Sequence, residues 1–206
     1  MQVRNNFCLI ILFFISGMVS AQVNANLSLG FDFYSYYRNP EKEGQDIGQS
    51  SGAILSPNFA AQIVFGKNNF SFGLEPQVTF SPWALDFNQY KGLGAVAFPL
   101  LAKFNFGSFS GFSQKIYGFS IGAGVQYNRT ELFGLNHKYA DVKREFFRTN
   151  VLELCLGGGI GGINFAYNFR IGFGADKALS LNTGFVIRAD LTKKNQFKLN
   201  MNSDKS

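Results

Sequence analysis

Seven ionisable residues stand out because each sits on the polar side of an alternating apolar/polar run: Asp32, Glu75, Lys103, Glu153, Arg170, Arg188 and Asp190. Successive side chains of a β-strand point to opposite faces, so these seven share one face and bulky apolar residues occupy the other. Four acids and three bases on one face suit two kinds of chemistry. They can neutralise one another as a plug of ion pairs, because an unpaired charge in a narrow space is costly. They can instead line a selective conduit that binds a passing solute. The spacing leaves both open.

Other chemistry finds less to work with. His137 is the only histidine of the 206 residues. A lipid hydrolase at a membrane interface would need a nucleophile, a histidine and an acid within reach of one another. No serine in a neighbouring strand register matches His137, and an exposed loop histidine is the better account of it. One histidine and Cys155 make no metal constellation. The glycine run at 157–162 opens no helix and carries no Lys-Ser/Thr, so it is not a phosphate loop. Neither an enzyme nor a cofactor is expected. A second group, Arg129, Lys138, Lys143, Arg144 and Arg148, falls among Phe133, Tyr139, Phe146 and Phe147. It reads as a long loop able to contact lipopolysaccharide phosphates or another envelope protein, or as a solvated loop near lipid headgroups.

The elements that must position these residues are strands. The clearest pair lies at 163–191, where Ile163, Phe165, Tyr167, Phe169, Ile171 and Phe173 alternate with small and polar residues, and the pattern resumes after a short turn at Leu179. Six further runs, beginning near residues 23, 55, 70, 96, 117 and 151, alternate in the same way, with the one at 151 dissolving into glycines. Tyr34, Tyr36 and Tyr37 crowd the end of the first run, as an interfacial aromatic girdle would. The stretches at 38–52, 81–94 and 128–148 read as long polar loops. Those at 66–69, 107–115 and 157–162 read as short turns. Short turns at one end and long loops at the other are the asymmetry of outer-membrane barrels.

Residues 1–21 read as a signal peptide: Arg4, an apolar core from Phe7 to Ile15, and Val19-Ser20-Ala21 before a cleavage point. Removing it takes away Cys8 and leaves no possible internal disulfide. Residues 22–191 read as one barrel domain. Residues 192–206 read as a polar tail that extends the last strand at most, through Phe197, Leu199 and Met201.

Composition agrees. Charged residues make up 16% of the chain, against about 25% in soluble domains. Aromatics reach 17%, with 25 Phe and 23 Gly, and mean hydropathy is near zero without a long apolar run. The net charge of +6 comes from scattered Lys and Arg, not a basic stripe, so nucleic acid is not an expected partner. A soluble eight-stranded barrel would have to bury about six large apolar residues per strand in a lumen that holds little more than side chains. The Gly, Ser, Asn and Ala of the other face do fit there. The apolar face therefore points out, and so large an apolar exterior needs lipid. A soluble two-sheet sandwich is the remaining soluble alternative.

From Phe72 to Tyr127 the chain resembles the PorT-like outer-membrane β-barrel family of Bacteroidota. The residues that carry the resemblance are Leu74-Glu75-Pro76-Gln77 with Phe80-Ser81, Phe98-Pro99-Leu100-Leu101-Ala102-Lys103-Phe104, and Gly118-Phe119-Ser120-Ile121-Gly122-Ala123-Gly124. Gly157–Gly162 and Asn164–Arg170 are similar to its later strands. The resemblance implies an outer-membrane barrel of a Gram-negative bacterium and supplies no catalytic residue. Its name-giving member is linked to protein secretion. It places Glu75 and Lys103 at matching polar positions. The motifs also carry Pro76 and Pro99, where bulges are expected because proline lacks a ladder donor.

The expectation is an all-β protein: an eight-stranded antiparallel transmembrane β-barrel of the up-and-down kind in the cell outer membrane, with a structural or interaction role. A subunit of a secretion or outer-membrane assembly complex and a small solute pore are the alternatives.

Overall fold

The computed structural model describes residues 21–41, 49–52, 55–87, 91–135 and 145–191. The expected leader, the tail at 192–206 and loop positions that include His137, Lys138, Tyr139, Lys143 and Arg144 lie outside the described residues. The strands are β1 (Gln22–Arg38), β2 (Gln49–Gly52), β3 (Ser56–Lys67), β4 (Phe70–Asp86), β5 (Gly92–Gly107), β6 (Tyr117–Gly134), β7 (Phe147–Ile160), β8 (Ile163–Gly174) and β9 (Leu179–Asp190). Eight of them form an antiparallel ring in the order β1-β3-β4-β5-β6-β7-β8-β9, closed by β9 pairing back onto β1. The fold is an eight-stranded antiparallel β-barrel.

The period-2 pattern fixes which way each strand faces. Leu152 is 59% exposed on the outer wall and its neighbour Glu153 is 3% exposed inside. The same contrast holds between Leu74 and Glu75, and between Ile187 and Arg188. Phenylalanines tile the exterior: Phe106 and Phe119 stack at 4.6 Å, and Phe70 contacts Phe104 and Phe106. A closed barrel leaves no unpaired sheet edge, and a continuous apolar outer wall is stable only against acyl chains. This is a transmembrane barrel turned inside out relative to a soluble one. Among the described residues no helix is long and apolar enough to cross a membrane; the crossing is made by strands.

Several boundaries differ from the sequence reading, all in favour of longer strands. β4 runs on to Asp86 and β5 begins at Gly92, shrinking the loop expected at 81–94. β6 reaches Gly134 and β7 begins at Phe147, so Arg129 and Arg148 are strand residues and not part of a loop. Residues 49–52, expected in a loop, form β2, which continues the line of β3 between β1 and β4. The reason is shared: backbone pairing continues above the bilayer where apolar alternation stops, and alternation was the only signal read. The glycines at 157–159 remain in β7, and Gly161 and Gly162, both at positive φ, make the two-residue turn to β8.

Tyr37 is the clearest reversal. The β1–β9 register shifts between Asp32 and Tyr34, which leaves Tyr34 and Tyr36 outside and turns Tyr37 into the lumen, fully buried. Pro76 and Pro99 show no register shift. Instead the β3–β4 ladder lapses beside Pro76 and the β4–β5 ladder lapses beside Pro99, so each missing donor faces a gap in pairing.

Both ends of the lumen are capped from within. The 107–115 connection is more than a turn: a single 3-10 turn at Ser108–Ser110, between Gly107 and Gly111 at positive φ, tucks Phe109 inside at 2% exposure. Ser110 Oγ donates to Asn68 O and Ser113 Oγ pairs with Asn69 Oδ1, both at 2.6 Å, tying it to the β3–β4 turn. At the long-loop end Tyr37, Ala84, Ala95, Ala97, Phe147 and Ala178 form a buried apolar cluster.

Candidate functional site

Between the two caps, six of the seven ionisable residues read from the sequence converge into one ladder. Asp32 comes from β1, Arg170 from β8, Glu153 from β7, Lys103 from β5, Glu75 from β4 and Arg188 from β9, so six of the eight wall strands are cross-linked. Arg170 Nη2 lies 4.0 Å from Asp32 Oδ2, and Arg170 Nη1 donates to Glu153 Oε2 at 3.1 Å. Lys103 Nζ pairs closely with Glu153 and lies 2.6 Å from Glu75 Oε1. Arg188 Nη2 completes the run at 3.1 Å from Glu75 Oε2. Acid and base alternate through all six, and their formal charges cancel.

Strand register explains part of this. Glu153 and Arg170 are directly opposite in the β7–β8 hairpin. Lys103 and Glu153 both stand opposite Gly122 on the intervening β6. A Cβ at Gly122 would lie 2.9 Å from Lys103 Cγ, so the missing side chain is the space through which Lys103 reaches Glu153.

Buried charges are tolerated only when their remaining hydrogen-bonding capacity is met, and side-chain amides meet it here. Asp32 accepts from Asn58 at 2.9 Å, Asn182 at 3.1 Å and Asn168 at 3.5 Å. Gln77 accepts from Arg170 and donates to Glu75 and Glu153, at 2.5 and 3.3 Å. Gln62 accepts from Arg188. The Arg188 guanidinium also donates to Phe109 O at 3.3 Å and lies 5.7 Å from the Phe109 ring. The sequence reading passed over these amides and Phe109. Gln77 carried a signal, two residues beyond Glu75 on the same face; Phe109, in a Gly/Ser turn, carried none.

Asp190 is the seventh of the ionisable residues read from the sequence. It lies near the chain-terminus end, where Asn24 Nδ2 donates to its Oδ1 at 2.7 Å. Cys155, expected as a small lumen residue, is buried beside the ladder, with its thiol donating to Glu153 Oε1 at 3.3 Å. Among the described residues no three His, Cys, Asp or Glu side chains are arranged to hold a metal ion. The free space in this region is a cavity of about 30 Å³ lined by Glu75, Gln77, Lys103, Phe109, Glu153 and Cys155, among others. That is room for a water molecule or two.

Arg129 and Arg148 stand apart from the ladder, on the outer wall near the long-loop end. The Arg129 guanidinium lies 5.7 Å from the Phe146 ring, and Arg148 Nη2 donates to Asn150 Oδ1 at 3.2 Å.

Fold and site together define a transmembrane eight-stranded barrel whose interior is packed with a polar core built around a charge-balanced ladder of six residues. No family model and no curated protein matches the chain. Among solved structures, the crystal structure of Neisserial surface protein A (NspA) is similar over 82% of this chain and 98% of that one, with a TM-score of 0.47 and 10% identity.

Proposed function

We propose that this chain is an outer-membrane β-barrel with a non-enzymatic, structural or interaction role, and that its lumen does not conduct. The observation that carries this reading is the burial of the ladder. Glu75, Lys103, Glu153 and Arg170 are each 3% exposed or less to a water-sized sphere, whereas a water-filled bore would expose the charges that line it. Phe109 below and the Tyr37 cluster above fill the two ends of the lumen among the described residues, which favours a closed barrel over the solute-pore alternative. The apolar exterior, the strand count and the long connections at the end opposite the N-terminus support an outer-membrane location. Planar-bilayer recording tests the reading: the purified barrel is expected to insert without stepwise conductance, and reproducible ion-selective steps would overturn it in favour of a pore.

A second reading follows from the same filled lumen. A barrel that cannot pass solutes can still act through its rims and wall, and the PorT-like resemblance supports a subunit of a secretion or assembly complex. Purification from native membranes in mild detergent distinguishes the two. A stoichiometric envelope partner supports the complex, and a monodisperse monomer supports a free-standing barrel.

A further inference from the structure

Resting on the outer-membrane reading, we propose that Arg129 and Arg148 form a binding site on the outer wall for the phosphate of a lipid A-type glycolipid. Both side chains point away from the lumen, because their neighbours Asn128, Thr130, Phe147 and Thr149 are buried on the inner side. Arg129 lies opposite Val96 and Arg148 lies opposite Tyr127. The two arginines are thus diagonal neighbours on the β6–β7 pair, within reach of one ligand.

Their height on the barrel matters. Arg129 is twelve steps along β6 from Tyr117, an outward aromatic at the opposite end. At a tilt of about 45° those steps rise roughly 28 Å, close to the thickness of the apolar band of an outer-membrane barrel. The guanidinium groups therefore stand where acyl chains give way to headgroups.

Aromatic rings flank them. Behind Arg129 lies the Phe146 ring, which itself contacts Phe98 with centroids 6.0 Å apart. Tyr127 and Phe173 flank the pair through the strand registers of Arg148 and Asn150. Arg129 Nε has no hydrogen-bond partner among the described residues. Two adjacent cations held against aromatic rings at a lipid interface call for an anionic oxygen ligand, and guanidinium forks fit phosphate bidentately. The long connections leave from this end, so in an outer membrane the phosphate within reach belongs to the outer-leaflet glycolipid.

The test titrates the full chain, folded in detergent, with lipid A, with lipid A stripped of phosphate, and with phosphatidylglycerol, counting bound lipid by native mass spectrometry. Wild type is expected to prefer phosphorylated over stripped lipid A by on the order of tenfold. The double variant R129Q/R148Q is expected to lose that preference while still migrating as a heat-modifiable, folded barrel. Equal binding of the two lipid A forms by wild type, or a preference retained by the variant, overturns the site. An equal preference for phosphatidylglycerol overturns the assignment to lipid A. A wild-type chain that shows no heat-modifiable form would instead defeat the barrel reading on which the site rests.

Discussion

Lys103 crosses the bare backbone of Gly122 to reach Glu153 two strands away, with its Cγ 2.9 Å from where a Gly122 Cβ would stand. A glycine on the polar face of β6 thus sets the course of the central cation of the ladder. A Gly122→Val substitution is expected to push Lys103 off Glu153 and destabilise the barrel by about 1–3 kcal/mol, the range for overpacking a filled interior. Gly122→Ala should cost less, because a flexible lysine stem can yield. Urea unfolding in detergent, read by the heat-modifiable gel shift, gives the order. A valine variant as stable as wild type would show that Lys103 does not depend on this gap.

Breaking the ladder at one residue should cost more than removing a matched pair. Lys103→Ala leaves Glu75 and Glu153 facing each other without their shared cation, and Glu75→Ala leaves Lys103 and Arg188 short of an acid. Removing one partner of a buried pair costs about 3–5 kcal/mol, whereas replacing both with apolar residues of similar volume is often neutral. Glu75→Met with Lys103→Met keeps the ladder neutral, with Arg170 on Glu153 and Arg188 still bonded to Gln62, Asn105 and Phe109 O. The double variant is therefore expected to be more stable than either single alanine variant in the same unfolding assay. Simple additivity of the two losses would count against a coupled ladder.

The Phe109 cap can be tested through Cys155, since the two pack together with Ala166 in one buried cluster. With Cys8 replaced by serine, the folded barrel is expected to resist a water-soluble maleimide at Cys155 for as long as it stays folded. Phe109→Ala removes the ring between this end of the lumen and the thiol, and should make Cys155 label without unfolding. Truncating a buried phenylalanine should also lower stability by roughly 3 kcal/mol. Labelling that stays absent until the gel shift is lost would mean that the ladder, not Phe109, seals this end.

How much of this was legible in the sequence depends on the scale of the interaction. In-versus-out is a property of each strand alone, and period-2 alternation carried it for Leu152 against Glu153 and Ile187 against Arg188. Hairpin register is nearly local too: a two-residue turn at Gly161-Gly162 sets Glu153 opposite Arg170. Contacts across the barrel depend on the stagger accumulated around eight strands, which no single run encodes. Hence the pairings of Asp32 with Arg170 and of Glu75 with Arg188, each between strands that are not neighbours, were not visible. The inward turn of Tyr37 was hidden for another reason: one extra residue in β1 reverses the face of everything after it, and its neighbours Tyr34 and Tyr36 carry no mark of the shift.

Beyond the bilayer, Glu41 and Lys177 join the end of β1 to the β8–β9 turn, with Lys177 Nζ 2.7 Å from Glu41 Oε2 and the Glu41 amide donating to Asp176 O at 2.9 Å. The hydrogen bond and charge of Lys177 hold the Glu41 carboxyl below the usual carboxylate range. A carboxylate whose folded pKa is depressed contributes stability above its unfolded pKa and loses it as pH falls through the lower folded value. The bridge is therefore intact at neutral pH and breaks only in acid. Both side chains are exposed, so the global unfolding midpoint is expected to stay unchanged in Lys177→Ala, as for most surface pairs. The local effect should appear in amide hydrogen exchange. At pH 6 the Glu41 amide is expected to be better protected in wild type than in Lys177→Ala, and the difference should vanish once pH falls below the folded pKa of Glu41. Identical protection in the two proteins at pH 6 would show that the backbone bond to Asp176, without the bridge, fastens this corner of the barrel.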